Sequence, residues 1–431
     1  MRRRVVITGL GALTPLGNNV EETWAGVIQG RSGIGRITAF DARTFPVQIA
    51  GEVKNFQPVN LPLPEYCAPF IGRSVQLCFN AAQQALADAG IDLQRADPRQ
   101  MGISLGGHEE YLPLTMLPHF FCRDELREAY QNPQQAHAKL LTRSSEAGKL
   151  FAFRKRADMV TAALALMLHI EGPVATSHTA CSSSGHAIGK AKRMIENGEC
   201  SVVIAGGYCS MLNEHTVAGF HLLGTLSTRN DEPHRASRPF DRLRDGFVMG
   251  EGAGILILEE REAAQKRGAC IYAELSGYGS SSNAYRITDS PPDGSGGDLC
   301  MQRALADAQK NITDIDYINA HGTATILNDR SETRAIKKVF GEHAYKIPVS
   351  STKSMIGHLV TASSAVELII TCLVLRNNII HPTINLDQPD PACDLDYVPH
   401  SAREQRVRAA LSNSFAFGGQ NVTLIVEHGK G

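Results

Sequence analysis

"QQALADAGI", residues 83–91, returns in near copy as "QRALADAQKNI" at residues 302–312. Each copy is followed by a short linker and a strand-like segment, "MGISLGG" after the first and "DYINAHGT" after the second. A second pair carries the same message: "MGEGAGILILEE" (249–260) and "FAFGGQNVTLIVEH" (415–428) are both glycine-rich turns opening into apolar strands. These recurrences predict an internal duplication that divides the chain near residue 260 into two related α/β halves, residues 1–260 and 261–431. Strands such as "VVIAGG" (202–207) lack polar alternation, the mark of a sheet covered on both faces. Sheets and helices therefore stack in layers, and no low-complexity linker separates the halves. The first half is longer, with insertions at roughly 20–70 and 107–160; the aromatics, prolines and charges of the second suit a cap around a pocket.

Composition narrows the function classes. Lys+Arg 43 nearly cancels Asp+Glu 44 over 431 residues, which argues against a chain whose main partner is nucleic acid. The start, "MRRRVVITGLGALTPLG", mimics a signal peptide, but its short apolar run is broken by Thr8, Gly9 and Gly11 and reads as a buried strand. No apolar run reaches membrane-spanning length. Ten scattered cysteines without CxxC pairs fit free thiols in a reducing cytoplasm.

One cysteine stands apart. In "TACSSSGHAIGKAKRMIENG" (179–198), Ala187, Ile188, Ala191, Met194 and Ile195 follow helical spacing, so a helix begins close to Cys181. A thiol at a helix N-terminus meets the positive end of the dipole and free N–H groups, which lower its pKa and favour attack on a carbonyl. The same stretch also fits a small, unreactive buried cysteine. A metal reading from His178, Cys181 and His186 is weak, because the spacing matches no standard zinc pattern.

In the second half, "INAHGTATILNDRSETRAI" puts His321 at the end of an apolar strand, where open α/β sheets place their chemistry. "SSTKSMIGHLVTASSAVELII" then places Lys353 and His358 in a turn before a helix, a layout like that of the cysteine segment. Equivalent turns of a duplicated fold meet at its pseudo-symmetry axis, which would gather Cys181, His321 and His358. "SNSFAFGGQN" (412–421) reads either as a tight turn packed by aromatics or as a loop whose N–H groups serve an oxyanion hole.

Taken together, "TACSSS", "SRPFDRLRDGFVMGEGAG", "NAHGTATILND" with Glu332, "STKSMIGHL", "PTINLD" and "NSFAFGGQN" resemble the β-ketoacyl-acyl-carrier-protein synthases, nearest to the synthase II type, in the thiolase superfamily. The likeness runs nearly the full length, with 107–160 the least similar part. It implies a thiolase-like fold, two α/β halves stacked as five αβαβα layers, and decarboxylative condensation of a malonyl thioester with an acyl chain held on Cys181. It makes His321 and His358 the decarboxylation pair, Lys353 and Glu332 a buried ion pair, Thr323 and Thr325 contacts of the pantetheine arm, and Phe417 the gate on the oxyanion-hole loop. No cofactor or metal is implied, since substrates ride on the phosphopantetheine of an acyl carrier protein. A homodimer is implied, with a heterodimer containing a chain-length-factor-like subunit as the alternative, and neither nucleic acid nor membrane as a partner. Arg154, Lys155 and Arg156 form a basic cluster for an acidic carrier.

The chain departs from that pattern at Ala416, where glycine is usual and a stiffer loop is expected; at Thr361, Ser363 and Ser364; at Leu243; and at Asn283 and Arg286, which replace an acidic residue and a histidine. These changes lean toward polyketide or polyene chains over housekeeping fatty-acid elongation. A degradative thiolase needs a second cysteine near the C-terminal loop, and none follows Cys393. A noncatalytic partner subunit would lack Cys181.

Overall fold

Val5–Leu13 is an unbroken run of buried residues, and strands of that kind build the centre of the computed structural model, which describes residues 2–63, 71–109, 131–132 and 156–429. In chain order the main strands are β1 (Val5–Leu13), β2 (Met101–Gly106), β3 (Val174–Ser177), β4 (Val202–Cys209) and β5 (Gly252–Glu260). There follow β6 (Ala273–Ser282), β7 (Tyr317–Asn319), β8 (Val349–Ser350), β9 (Ala409–Phe415) and β10 (Gln420–Glu427). They hydrogen-bond in the order β8-β7-β9-β10-β6-β1-β5-β4-β2-β3. Counted outward from the centre, the first five run β1-β5-β4-β2-β3 and the last five β6-β10-β9-β7-β8, the same order displaced by five strands.

The pairing senses repeat as well. β1/β5 and β5/β4 are antiparallel, β4/β2 and β2/β3 parallel; β6/β10 and β10/β9 are antiparallel, β9/β7 and β7/β8 parallel. The two sets meet where Val6 pairs with Glu274 and Ile7 with Ala273.

Among the described residues, the helices that pack on these strands include α1 (Arg73–Ala89), α2 (Met159–Leu168), α3 (Ser183–Glu196), α4 (Gly297–Ala308), α5 (Ile326–Phe340) and α6 (Ser363–Asn377). α1 and α2 pack on the outer face of the first strand set, α4 and α5 beside the second, and α3 and α6 touch each other between the two strand sets. The buried apolar side chains accordingly fall into a central cluster and two flanking ones. α6 is buried from Ser363 through Leu375 without a solvent-facing stripe, as a helix with sheet on both sides must be. With its preceding turn it is also the one helix, among the described residues, long and apolar enough to cross a membrane, and 89% of that stretch is buried inside the protein.

The repeated ALADA segment now has a physical reason. α1 lies so close on β1 that a Cβ at Gly11 would stand 2.0 Å from the Ala81 carbonyl oxygen, and α4 lies as close on β6, where a Cβ at Gly279 would stand 2.1 Å from that of Cys300. The aspartate of each copy then receives a strand amide: Leu10 N–H donates to Asp88 at 2.8 Å and Tyr278 N–H to Asp307 at 3.0 Å. Small residues and one acid, at fixed spacing, set helix on strand twice.

Candidate active site

Cys181 sits in a single turn, Ala180–Ser182, between β3 and α3. Ala180 has φ +47°, left-handed for a residue with a side chain, which costs roughly 1–3 kcal/mol. The serines that follow hold this elbow: Ser182 Oγ donates to Thr179 O at 2.8 Å, Ser183 Oγ donates to Ala180 O at 2.7 Å, and Thr179 N–H donates to Ser183 Oγ at 2.9 Å. Ser184 Oγ accepts from Ala365 N–H at 3.1 Å and so ties α3 to α6. The strain aims the thiol into a cleft of about 340 Å³ whose walls include Cys181, His321, His358, Thr323, Thr325 and Phe417. The sequence-predicted residues Cys181, His321 and His358 are brought together there.

The helix terminus does not make the thiol acidic. Burial pushes the Cys181 thiol up to about 11, while the Lys353 ammonium and the Phe417 backbone N–H pull in the other direction. This corrects the expectation of a lowered pKa: losing water outweighs the pull of the ammonium and the amide N–H groups. The Phe417 backbone N–H lies within hydrogen-bond reach of the Cys181 sulfur.

The two imidazoles stand edge to face with ring centres 5.4 Å apart. Val360 N–H donates to His358 Nδ1 at 3.2 Å, so Nδ1 is an acceptor and the proton lies on Nε2. That Nε2 is buried and has no partner among the described residues. Ser363 Oγ lies 2.9 Å from the same Nδ1, and the Phe247 ring packs against the imidazole at 5.2 Å. At His321 the Lys353 ammonium stands 3.3 Å from Nδ1, which again leaves Nε2 to carry the proton. Burial and the Lys353 charge hold both rings well below the ordinary histidine range. The cleft therefore presents neutral N–H donors, suited to an oxygen that gains negative charge.

The Lys353 ion pair is not the one the resemblance implied. Lys353 Nζ meets Glu367 Oε1 at 2.5 Å, both side chains fully buried, and donates to His321 O at 2.8 Å. Glu332 instead receives the backbone N–H groups of His321 and Gly322, each at 2.8 Å, and Asn413 Nδ2 at 3.3 Å. Burial pushes Glu332 up to about 7 against those donors. Glu332 is a brace for the His321 loop, and Glu367 is the counter-ion that the sequence reading missed. The available signal was a single acid in the apolar run of α6.

Other expectations resolve as follows. Thr323 and Thr325 share a hydroxyl contact of 2.9 Å at the cleft mouth. Asn283 anchors the loop that carries Phe417: its N–H donates to Gly419 O at 2.8 Å and its Oδ1 accepts from Asn421 Nδ2 at 2.6 Å. Ala416 is extended, φ −116° and ψ 154°, where a methyl group costs nothing, and the left-handed positions of the loop are Gly418 and Gly419. His178 and His186 line a different cavity from Cys181, so the three do not converge. Most of the 107–160 cap, with Arg154 and Lys155, lies outside the described residues; Arg156 is exposed and pairs with Asp158 at 2.6 Å.

Comparison with known proteins agrees with this geometry. The models of the beta-ketoacyl synthase N-terminal and C-terminal domains match residues 2–264 and 272–387. The 3-oxoacyl-[acyl-carrier-protein] synthase 2 of Coxiella burnetii is 42% identical over 99% of this chain and 98% of its own. A type II polyketide acyl-carrier protein solved in complex with its hexaketide-bound ketosynthase provides a chain with TM-score 0.84 and 32% identity, each chain covered completely. The ishigamide ketosynthase/chain length factor matches with TM-score 0.85 and 34% identity, again over the whole of both chains. Motif order, site geometry and full-length similarity have one explanation, and the chain belongs to the β-ketoacyl synthase family, with its thiolase-like fold.

Proposed function

We propose that the chain extends an acyl group by two carbons through a ping-pong condensation run by Cys181, His321 and His358. The observation that carries this reading is the convergence, in one cleft, of a thiol, an amide N–H beside it and two imidazoles whose Nε2 atoms carry protons. In the first half-reaction the Cys181 sulfur bonds to the carbonyl carbon of an acyl thioester. The amides of Cys181 and Phe417 hold the oxyanion, and the pantetheine sulfur departs with the proton that Cys181 loses. In the second, a malonyl thioester loses neutral carbon dioxide and leaves an enolate, whose oxygen takes hydrogen bonds from His321 and His358. The enolate carbon attacks the acyl carbonyl, and Cys181 leaves and recovers a proton.

Lys353, paired with Glu367, keeps His321 neutral, Glu332 fixes its loop, and Thr323 and Thr325 receive the arm of an acyl carrier protein. The division near residue 260 thus separates the half that carries the nucleophile from the half that carries the histidines. We read the pathway as polyketide or polyene extension, with fatty-acid elongation as the alternative, in the cytoplasm. The assembly is a homodimer; the similarity to a ketosynthase/chain length factor pair supports a heterodimer as the second reading.

Intact mass after incubation with acyl carrier proteins tests this. An acyl adduct on Cys181, discharged by malonyl carrier to a β-ketoacyl product two carbons longer, is the expected result. Cys181→Ala abolishes the adduct, a loss of at least about 10³-fold; an adduct that persists in this variant would refute the assignment.

A further inference from the structure

We infer that Arg244 is a positioning residue: it clamps the strained turn Thr323–Ala324–Thr325 so that both hydroxyls face the cleft and meet the pantetheine arm. The inference rests on the ketosynthase reading above. Ala324 has φ +68°, left-handed without being glycine, and it is completely buried. The turn does not relax because its far end is held. Arg244 Nε donates to Thr325 O at 3.2 Å and Nη2 donates to Ile326 O at 3.1 Å. The guanidinium is anchored in turn: Nη1 donates to Asp241 O at 2.7 Å and to Asp390 Oδ2 at 2.8 Å, and Nε lies 3.2 Å from Asp329 Oδ2.

Only a planar fork spans carbonyls on one side and carboxylates on the other; a lysine ammonium has one charged centre and cannot. Arg244 also precedes Asp245, Gly246 and Phe247, which line the cleft, and Phe247 packs on His358. One buried side chain therefore ties two walls of the mouth together. Without it, Ala324 falls back toward the right-handed region favoured by L-residues and carries both hydroxyls out of register.

The test compares two donors of one acyl group, its pantetheine thioester and its S-phenyl thioester, by the rate of Cys181 acylation in the full-length protein. Arg244→Lys is expected to raise KM for the pantetheine donor ~10-fold and leave acylation by the S-phenyl donor within ~2-fold, the size of one or two lost hydrogen bonds to the arm. Adding Ala324→Gly, which occupies the left-handed region without strain, is expected to recover at least ~3-fold of that KM. A purely structural role predicts instead an equal loss with both donors and no recovery. An unchanged KM ratio, or no gain from Ala324→Gly, overturns the inference. Should Arg244→Lys fail to fold, Asp390→Asn loosens the same guanidinium at constant volume, and the same donor-selective loss, smaller in size, is expected; its absence overturns the inference too. If the wild-type protein takes acyl groups from neither donor, the ketosynthase reading itself falls, and this inference with it.

Discussion

The segments His178–Ser184 and His358–Ser364 are the same device in the two halves of the molecule. Each has a histidine two residues before a left-handed non-glycine residue, Ala180 at φ +47° and Val360 at φ +41°, and each passes into a helix of the central layer. Their outcomes are opposite. The first elbow presents the Cys181 thiol to the cleft while His178 lies exposed beside another cavity. The second buries Thr361, whose hydroxyl donates to Tyr208 O at 2.5 Å, and turns His358 into the cleft instead. Duplication thus supplied two strained turns facing each other across α3 and α6, and each half keeps one side of the chemistry: the nucleophile from one, the N–H donors from the other.

The widest break between the elbows should appear on removing their histidines. His358→Ala is expected to slow condensation by about 10²–10³-fold, the usual loss for a donor aimed at developing charge, while acyl transfer onto Cys181 falls much less. The matching His178→Ala should change either step by no more than about twofold, as surface substitutions do. Single-turnover measurement of each half-reaction decides this. Equal losses at 178 and 358 would mean that the turns share a structural role and that the division of labour is wrong.

A second contrast concerns the thiol. With burial holding Cys181 up to about 11, the thiolate fraction, and with it the rate of alkylation by iodoacetamide, should climb about tenfold per pH unit from 7 upward and level off only near that value. The sign follows from the direction of the shift: a raised thiol pKa leaves less thiolate at neutrality than an ordinary cysteine has. A plateau below pH 8, read by intact mass, would restore the helix-terminus view of the elbow and sink the desolvation argument. Lys353→Met should move the rise to still higher pH, because the ammonium favours the thiolate.

How much of this was legible in the sequence depended on whether a residue's neighbours in the chain were also its neighbours in space. The ALADA copies could be read because small residues and one aspartate at fixed spacing are what a helix needs to lie on a strand. Cys181, His321 and His358 stood out because each is a reactive side chain among small or apolar residues at a turn. The partner of Lys353 was not legible: Glu332 and Glu367 are both acids on helices close in sequence to Lys353, and only the docking of α6 beneath the turn at Lys353 brings Glu367 to the ammonium. Nor could spacing reveal the thiol's environment, since desolvation is set by layers contributed from both halves. Nor did spacing show what the serines after Cys181 do: their hydroxyls hold the strained backbone.

The smallest effects sharpen the comparison at the loop that brings the Phe417 N–H to the Cys181 sulfur. Gly418 and Gly419 take φ +79° and +75°, Gly418 N–H donates to Ile287 O at 2.6 Å, and Ala416 is merely extended. Gly418→Ala puts a side chain where the left-handed backbone costs roughly 1–2 kcal/mol, so acylation should slow by about tenfold if that loop positions the Phe417 amide. Ala416→Gly adds only the freedom of glycine at a relaxed position, roughly 0.5–1 kcal/mol at most, and should alter kcat/KM by less than about fivefold in either direction. A gain above tenfold from Ala416→Gly would place the stiffness at residue 416 after all. It would also mean that the turnover of the nucleophile's elbow is limited by how easily that loop moves, a constraint from which Thr361, already closed against Tyr208, is free.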